Sequence, residues 1–291
     1  MSNSKLFTLT VGYASMAASI FFASASPVTA GALEALFAPK AEIWQTWTRH
    51  DPNAVERIDH ADWDRFLANY VVESADGVNR VAYGQVRSED RDGLSTYIDT
   101  LSAIPIGGYS RREQLAYWIN LYNALTVKMV LDHYPVTSIR DIDISPGIFA
   151  DGPWGKKLVM VEGEELSLND IEHRILRPIW RDPRIHYAVN CASVGCPNLG
   201  KRAFTGANVE DALDRAAGTF INHPRAVQVV GGKLTVSSIY SWFQTDFGEN
   251  EENVIDHLKQ YASPDLRAEL AAVDTIDDDT YDWNLNDQLS N

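Results

Sequence analysis

The sequence predicts an α+β protein in which a long central helix packs on an antiparallel sheet beneath an N-terminal helical layer. Three observations predict this class. Residues 110–134 repeat apolar side chains at three- and four-residue spacing, which is typical of one long helix. Shorter runs alternate apolar and polar residues, as strands do. No internal repeat and no low-complexity linker separates these elements along the chain.

The first 30 residues have the form of a secretory signal. Lys5 precedes an uncharged run from Leu6 to Ala25, and a small-x-Ala cleavage site ends at Ala30. A retained transmembrane anchor is the alternative, because the run is nearly long enough to span a bilayer. Cleavage after Ala25 is a second option. We expect a periplasmic or secreted protein with no stable membrane span after cleavage.

The expected domain organisation follows from these patterns. A signal peptide covers 1–30, an N-terminal helical layer covers 31–105, and one core domain with a docked acidic tail covers 106–291. About 260 residues are then left to fold, which is enough to bury a sizeable core.

Composition narrows the classes of function. The chain is 45% hydrophobic and 10% aromatic, as globular proteins are, and its net charge is −15. Removing 1–30, which holds one lysine and no acidic residue, makes the net charge −16. Because an acidic surface repels phosphate groups, we expect no nucleic-acid partner.

The N-terminal part is read mainly as helix. Residues 31–75 show helical periodicity, 78–86 alternate like a strand, and 90–104 return to helical spacing. The central helix begins with a capping box formed by Ser110 and Glu113.

The central helix continues with a stripe of large apolar side chains. Its members are Leu115, Trp118, Tyr122, Leu125 and Met129. We expect Pro135 to end the helix.

The second half alternates between strand and helix patterns. Ser167 and Asp170 predict another capped helix, and 184–190 read as a strand. Gly231 and Gly232 predict the turn of a hairpin. The acidic tail carries Tyr281, Trp283 and Leu285, so we expect it to dock on the body.

Five motifs occur in a specific order: "AYWINLYNALTV", "LSLNDIEHRILRP", "RIHYAVNCASVGCPNL", "IYSWFQTDFG" and "YDWNLND". In this order and spacing the sequence resembles the domain of unknown function 547 family from about Tyr109 to Asn286. The matching positions are Trp118, Asn120, Tyr122, Asn123, Glu172, His173, Arg177, His186, Cys196 and Pro197. The resemblance implies no assigned activity, although the expected fold is loosely similar to the papain and transglutaminase group.

The two cysteines of the chain lie in one of these motifs, five positions apart. If 184–190 is a strand, His186 and Asn190 project from the same face, beside the turn that carries Cys191 and Cys196. A thiol nucleophile needs a nearby base and a third group that orients the base. We therefore predict Cys196 as the nucleophile and His186 as the base.

The orienting group is predicted to come from the long helix. Asn123, Asn120 and Glu113 are the candidates, although Glu113 also has a structural role as the partner of the Ser110 cap. Inter-helix hydrogen bonding is the structural alternative for both asparagines.

A disulfide between Cys191 and Cys196 is the main alternative to a free nucleophile, because cysteines of exported proteins usually pair. A reversible thiol pair is a third reading, although the spacing is not Cys-x-x-Cys. The spacing of the cysteines and histidines matches no common zinc site, so we predict no metal and no cofactor.

Substrate-binding candidates lie on the neighbouring elements. His173 and Arg177 share a helical face, and Arg177 has the chemistry to clamp a carboxylate. Asn190 and Tyr122 complete this set.

Two functions remain open. One is an exported cysteine-dependent hydrolase or acyl transferase that acts on an amide-type bond of a small molecule or peptide. The other is a non-catalytic extracytoplasmic binding or scaffold module with a Cys191–Cys196 disulfide.

Overall fold

A computed structural model of the chain describes residues 38–146 and 152–288. The α-helices are α1 Ala61–Tyr70, α2 Ser88–Ser102, α3 Arg111–His133, α4 Arg177–Trp180, α5 Val209–Ile221, α6 Ser238–Trp242, α7 Gln244–Phe247, α8 Glu251–Tyr261 and α9 Pro264–Leu270. The strands are β1 Val71–Glu73, β2 Asn79–Val81, β3 Val159–Val161, β4 Glu164–Leu166, β5 Val227–Val230, β6 Lys233–Ser237 and β7 Asp278–Thr280. The predicted α+β class is confirmed. The predicted signal peptide, 1–30, lies outside the described residues.

Helix α3 is the centre of the structure. Ser110 caps it by accepting a hydrogen bond from the Glu113 amide at 3.4 Å. The Glu113 carboxylate does not return this bond; it accepts from the Ile58 amide instead. The helix ends at His133, just before Pro135, as predicted. Its residues are buried on every side between Glu113 and Val127, so the helix needs neighbours all round.

The elements that surround α3 are mainly helices, namely α2, α5 and the segment before α4. Within 38–146 and 152–288, the strands form three small sheets rather than the one antiparallel sheet expected: β1–β2, β3–β4 and β5–β6–β7. Strand β7 runs parallel to β6. Strands of three to five residues are too short to cover a helix of 23 residues.

The hairpin between β5 and β6 has its turn where the sequence predicts it. Gly231 and Gly232 have φ angles of 61° and 78°, which L-residues with side chains rarely adopt. Within the described residues, no helix combines the length and the apolar character needed to cross a bilayer.

Two clusters of buried side chains stabilise the molecule. The larger cluster takes residues from α1, α2, α3 and α5 and reaches from Trp47 to Leu213, with Leu285 added from the tail. The smaller cluster joins Tyr187 to apolar residues between 217 and 273. The N-terminal helices therefore share one core with the long helix.

A wide helical turn precedes α4. Asp170–Leu176 form a π-helix, in which backbone hydrogen bonds span one more residue than in an α-helix. The capping box of Ser167 and Asp170 is confirmed, with both hydrogen bonds present at 2.9 and 3.2 Å.

Two carbonyl groups of this π-helix accept hydrogen bonds from the N-terminal segment that precedes Gln45. The amides of Glu42 and Trp44 donate to the carbonyls of His173 and Arg174. The predicted helix in this N-terminal region is therefore wrong for 38–44, which has no regular secondary structure, and Gln45–Thr48 form a short 3₁₀ turn.

The segment before the cysteines is also not the predicted strand. Pro183–Tyr187 form a 3₁₀ helix whose first amide, that of Arg184, is bound by the Asp182 carboxylate. The Asn123 side chain donates to the Ala188 carbonyl and accepts from the Asn190 amide, at 2.9 and 2.8 Å. One buried amide side chain thus supplies the bonds that a neighbouring strand would have made.

The C-terminal tail packs against the cysteine segment. Beyond β7, the amides of Val194 and Gly195 donate to the carbonyls of Asn284 and Asp282, each at 2.8 Å. Leu285 and Asn286 are buried. The tail therefore holds the residues around 281–283 next to the two cysteines.

Candidate functional site

A cavity of about 570 Å³ lies between the two core clusters. Its volume is in the range of small-molecule sites. Polar and ionisable side chains on its wall are Arg140, Asn169, Glu172, His173, His186, Cys191 and Cys196, and aromatic ones are Tyr122, Trp154, Trp242, Phe243, Tyr281 and Trp283. The polar and the aromatic side chains thus line the same cavity, as they do in catalytic clefts.

Both cysteines are free thiols, and their environments differ. Cys191 is partly exposed, whereas Cys196 is buried with 3% of its surface accessible. The Cys196 sulfur accepts from the Cys191 amide at 3.0 Å. The Tyr281 hydroxyl lies 2.9 Å and the Ser193 hydroxyl 3.4 Å from the Cys191 sulfur. The more exposed sulfur, that of Cys191, is therefore the one with two hydroxyl groups within hydrogen-bond distance.

These contacts separate the pKa values of the two thiols. A hydrogen bond from the Cys196 thiol lowers the pKa of Cys191, and Ser193 and Tyr281 add to this effect. Burial raises the pKa of Cys196 well above its usual value, and the adjacent Cys191 sulfur raises it further. Burial also raises the pKa of Tyr281, so its hydroxyl stays protonated and available to donate. The thiolate form is thus favoured at Cys191 over Cys196.

The loop that carries the cysteines is held from two sides. The Asn190 side chain accepts from the Ala192 amide at 2.9 Å and donates to the Pro197 carbonyl at 2.8 Å. Ala192 has a φ of 60°, a left-handed conformation that costs a residue with a Cβ about 1–2 kcal/mol. On the other side, a Cβ on Gly195 would lie 2.7 Å from the Asp282 amide nitrogen. Such strain next to Cys191 is common at functional sites.

His186 has a fixed orientation. Its Nε2 lies 2.7 Å from the Asp246 carboxylate, which can only accept, so Nε2 carries a proton. The neutral ring therefore has Nδ1 as its acceptor, and Glu172 Oε1 lies 3.8 Å from this atom. Phe243 stacks on the imidazole with ring centroids 4.4 Å apart. Asp246 and Phe243 together lock the tautomer and the plane of the ring.

His173 has the same tautomer, but its other nitrogen is the one that is bound. Arg177 Nη1 lies 3.0 Å from its Nδ1, and because a guanidinium only donates, Nδ1 is the acceptor and Nε2 carries the proton. Burial lowers the pKa of His173 to about 4, so the ring is neutral at neutral pH. Among the described residues, no side chain or backbone group forms a hydrogen bond with His173 Nε2. The predicted pairing of His173 with Arg177 on one helical face is confirmed.

Asp246 connects the two histidines through Arg177. Its carboxylate accepts from His186 and from Arg177 Nε, at 2.7 and 2.5 Å. Burial opposes its ionisation, but these two hydrogen bonds hold the pKa of Asp246 well below its usual range. Asp246 is therefore an anion throughout the neutral range.

Glu172 lies at the middle of the cluster. Its Oε1 is 3.9 Å from His173 Nδ1 and 3.8 Å from His186 Nδ1. Burial raises the pKa of the neighbouring Tyr122 hydroxyl well above its usual value, and the Glu172 carboxylate adds to this effect. The π-helical turn places Glu172 and His173 on the cavity wall together, although they are adjacent in sequence.

The predicted site residues divide into two groups. Tyr122, His173, His186 and both cysteines line the cavity, whereas Glu113, Asn120, Asn123, Asn190 and Arg177 do not. The Asn120 side chain binds the Phe204 backbone at 2.7 and 3.0 Å. Neither asparagine of α3 nor Glu113 hydrogen-bonds to His186; Asp246 does.

Sequence reasoning missed Asp246 and Tyr281. Both lie within quoted motifs, "IYSWFQTDFG" and "YDWNLND", and both are next to an aromatic cluster. The available signal was that each motif contains a side chain able to exchange a proton or donate a hydrogen bond, Asp246 in the first and Tyr281 in the second. Only the fold shows that these motifs meet the cysteines.

Within the described residues, no group of three or more His, Cys, Asp or Glu side chains is arranged to hold a metal ion. The chemistry of the site described so far comes from the thiol pair, the two imidazoles and Glu172.

A family model described as "Protein of unknown function, DUF547" matches residues 106–221. This segment belongs to the DUF547 family. The family expected from the motifs is therefore confirmed. The DUF547 match includes Glu172, His173, His186 and both cysteines, while Asp246 and Tyr281 lie C-terminal to it. No curated protein and no solved structure matches the chain.

Replacing Gly195 by alanine should loosen the tail. The new Cβ would meet backbone atoms of Asp282 at 2.7 and 3.0 Å, so the tail must shift. We expect the free energy of unfolding to fall by about 1–3 kcal/mol. Amide hydrogen exchange in 281–287 should become faster.

Gly218→Ala is the matched control, because nothing lies within 4 Å of its added Cβ and Gly218 is inside helix α5. It should stabilise the protein by up to about 1 kcal/mol. A Gly195→Ala protein as stable as this control, with unchanged exchange in the tail, would contradict the contact.

Proposed function

We propose that the cavity is the active site of a cysteine-dependent hydrolase or acyl transferase that acts on an amide-type bond. The observation that carries the proposal is the set of donors around Cys191, which favours its thiolate form in the wall of a ligand-sized cavity. A thiolate attacks an acyl carbon without first losing a proton. The proposed nucleophile is thus Cys191, and Cys196 is its hydrogen-bond donor.

His186 is the proposed acid–base group. Asp246 holds Nε2. In the imidazolium form, His186 gives the proton on Nδ1 to the leaving group, and the neutral ring then takes a proton at Nδ1 from the water or acceptor that cleaves the thioester. No hydrogen bond joins His186 to either sulfur among the described contacts. A substrate in the cavity must therefore lie between the thiolate and the imidazole.

His173 is the proposed donor to the developing oxyanion. Its Nε2–H has no partner among the described residues, and Arg177 fixes the tautomer that keeps this proton on Nε2. A neutral imidazole that donates to a carbonyl oxygen stabilises charge that forms only during the reaction.

The substrate in this proposal is a small molecule or a peptide. Aromatic side chains make up much of the cavity wall, and Trp242 and Trp283 stack with centroids 5.5 Å apart. Such walls bind flat or apolar groups. The same feature favours a second candidate function, a binding module without catalysis.

Export is part of the proposal. It is supported by the signal-like form of 1–30 and is tested by expressing the full chain and sequencing the N-terminus of the protein found outside the cytosol. A mature chain that begins at Gly31 supports export, and an uncleaved cytosolic chain contradicts it.

An acyl probe distinguishes the enzyme from the binding module and identifies the nucleophile. With p-nitrophenyl acetate, we expect a burst of one p-nitrophenolate per chain, and Cys191→Ala should abolish it. Cys196→Ala should keep the burst but slow it by about ten- to a hundredfold at pH 7. A lost hydrogen bond to a charged group is worth about 1.5–3 kcal/mol.

A burst that survives Cys191→Ala and disappears in Cys196→Ala would restore the nucleophile that the sequence predicts. Absence of any burst in the wild-type chain would favour the binding module.

Asp246→Asn tests the role of His186. The thiolate attacks without a base, so the burst amplitude should be kept, whereas thioester cleavage should slow by about 10²–10⁴-fold. Asp214→Asn is the matched control, since Asp214 is an exposed partner of Arg184. Asp246→Glu should recover part of the cleavage rate.

Asp246→Asn also leaves the buried Arg177 without its carboxylate, which costs about 3 kcal/mol or more. Near-UV circular dichroism checks that the variant is folded. Equal slowing of burst and cleavage, or no slowing of either, would contradict the assigned role.

A further inference from the structure

The two sulfurs form a pair with unequal access. Both cysteines line the cavity, but Cys191 is partly exposed and Cys196 is buried. The Cys196 sulfur accepts from the Cys191 amide at 3.0 Å, so the two cysteines are in direct contact. The loop already places the Cys196 sulfur against the Cys191 backbone, and a disulfide forms when the two sulfurs approach to about 2.0 Å.

Hydroxyl donors lie next to the reachable sulfur. Tyr281 and Ser193 are 2.9 and 3.4 Å from Cys191, and their hydroxyl oxygens are 2.7 Å from each other. When a thiolate attacks a peroxide, negative charge develops on the oxygen that leaves. Two hydroxyl groups beside the attacking sulfur are placed to donate to that oxygen.

We propose that Cys191 and Cys196 form an oxidation site for small hydroperoxides, in which Cys191 is oxidised first and Cys196 resolves the product. This reaction goes beyond acyl transfer and needs only the hydroperoxide as oxidant.

The chemistry balances in two steps. The Cys191 thiolate attacks the terminal peroxide oxygen; an S–O bond forms, the O–O bond breaks, and the leaving oxygen takes a proton and departs as an alcohol or water. The Cys196 sulfur then attacks the sulfur of the sulfenic acid. An S–S bond forms, the S–O bond breaks, and the hydroxide takes the Cys196 proton and leaves as water.

The cavity explains the order of the two cysteines. A peroxide in the cavity reaches the more exposed Cys191, whereas Cys196 is buried and its thiol donates to the Val189 carbonyl at 3.7 Å. Because Cys196 is already in contact with its neighbour, the sulfenic acid should be short-lived in the native chain. The disulfide removes the nucleophile of the proposed acyl transfer; this consequence alone rests on the proposed function.

The test uses the reduced full chain and one equivalent of hydrogen peroxide. Peptide mass mapping should show loss of two hydrogens across 191–196, loss of both alkylation sites, and recovery with dithiothreitol. The reaction should be about tenfold or more faster than that of free cysteine at pH 7, because the thiolate fraction is higher.

Two variants separate the roles. Cys196→Ser should stop at a sulfenic acid on Cys191 that dimedone traps, and Cys191→Ser should react no faster than free cysteine. If either variant fails to fold, the mass map of the wild-type chain still decides. Both cysteines remaining alkylatable after peroxide, or a reaction no faster than free cysteine, would overturn the proposal.

The p-nitrophenyl acetate burst of the reduced chain, measured in parallel, keeps the two ideas apart. Disulfide formation without a burst supports the oxidation site and rejects acyl transfer. A burst without disulfide formation supports acyl transfer and rejects the oxidation site.

Discussion

The hydrogen bond between the Tyr281 hydroxyl and the Cys191 sulfur joins parts of the chain that are 90 residues apart. It exists only because the tail forms β7 beside β6 and then binds the backbone of Val194 and Gly195. The glycine is required at this point because any side chain would occupy the place of the tail backbone. The hydrogen-bond environment of the Cys191 sulfur therefore depends on the docking of the tail.

Each of the two imidazoles of the cavity has one ring nitrogen bound by a neighbouring charged side chain, and the two neighbours carry opposite charges. An acceptor, Asp246, binds His186, and a donor, Arg177, binds His173. These partners also bind each other, and Phe243 packs against both rings and below the guanidinium. One buried ion pair thus leaves an acceptor nitrogen on one ring and a donor nitrogen on the other. Such orienting contacts matter as much as the groups that touch a substrate.

The sequence was informative where local chemistry decides the structure and less so where distant segments meet. Ser110, Pro135 and the two glycines at 231–232 marked true boundaries, because caps and turns depend on a few neighbouring residues. The 184–190 segment alternates like a strand but is 3₁₀-helical, since Asn123 and not a second strand satisfies its backbone. The cysteines that the sequence singled out both line the cavity, but their different environments depend on Tyr281 and on burial, neither of which their spacing encodes.

The central claim is that Cys191 is the activated sulfur of the pair. The most direct measurement is the rate of Cys191 alkylation by iodoacetamide between pH 5 and 10, followed residue by residue by mass spectrometry. The hydrogen bonds from Cys196, Ser193 and Tyr281 lower the pKa of Cys191, so its rate should rise with a midpoint below that of an ordinary thiol, about 8.5. Cys196 should react slowly over the whole range. A Cys191 midpoint at or above 8.5, or faster alkylation of Cys196, would contradict the account.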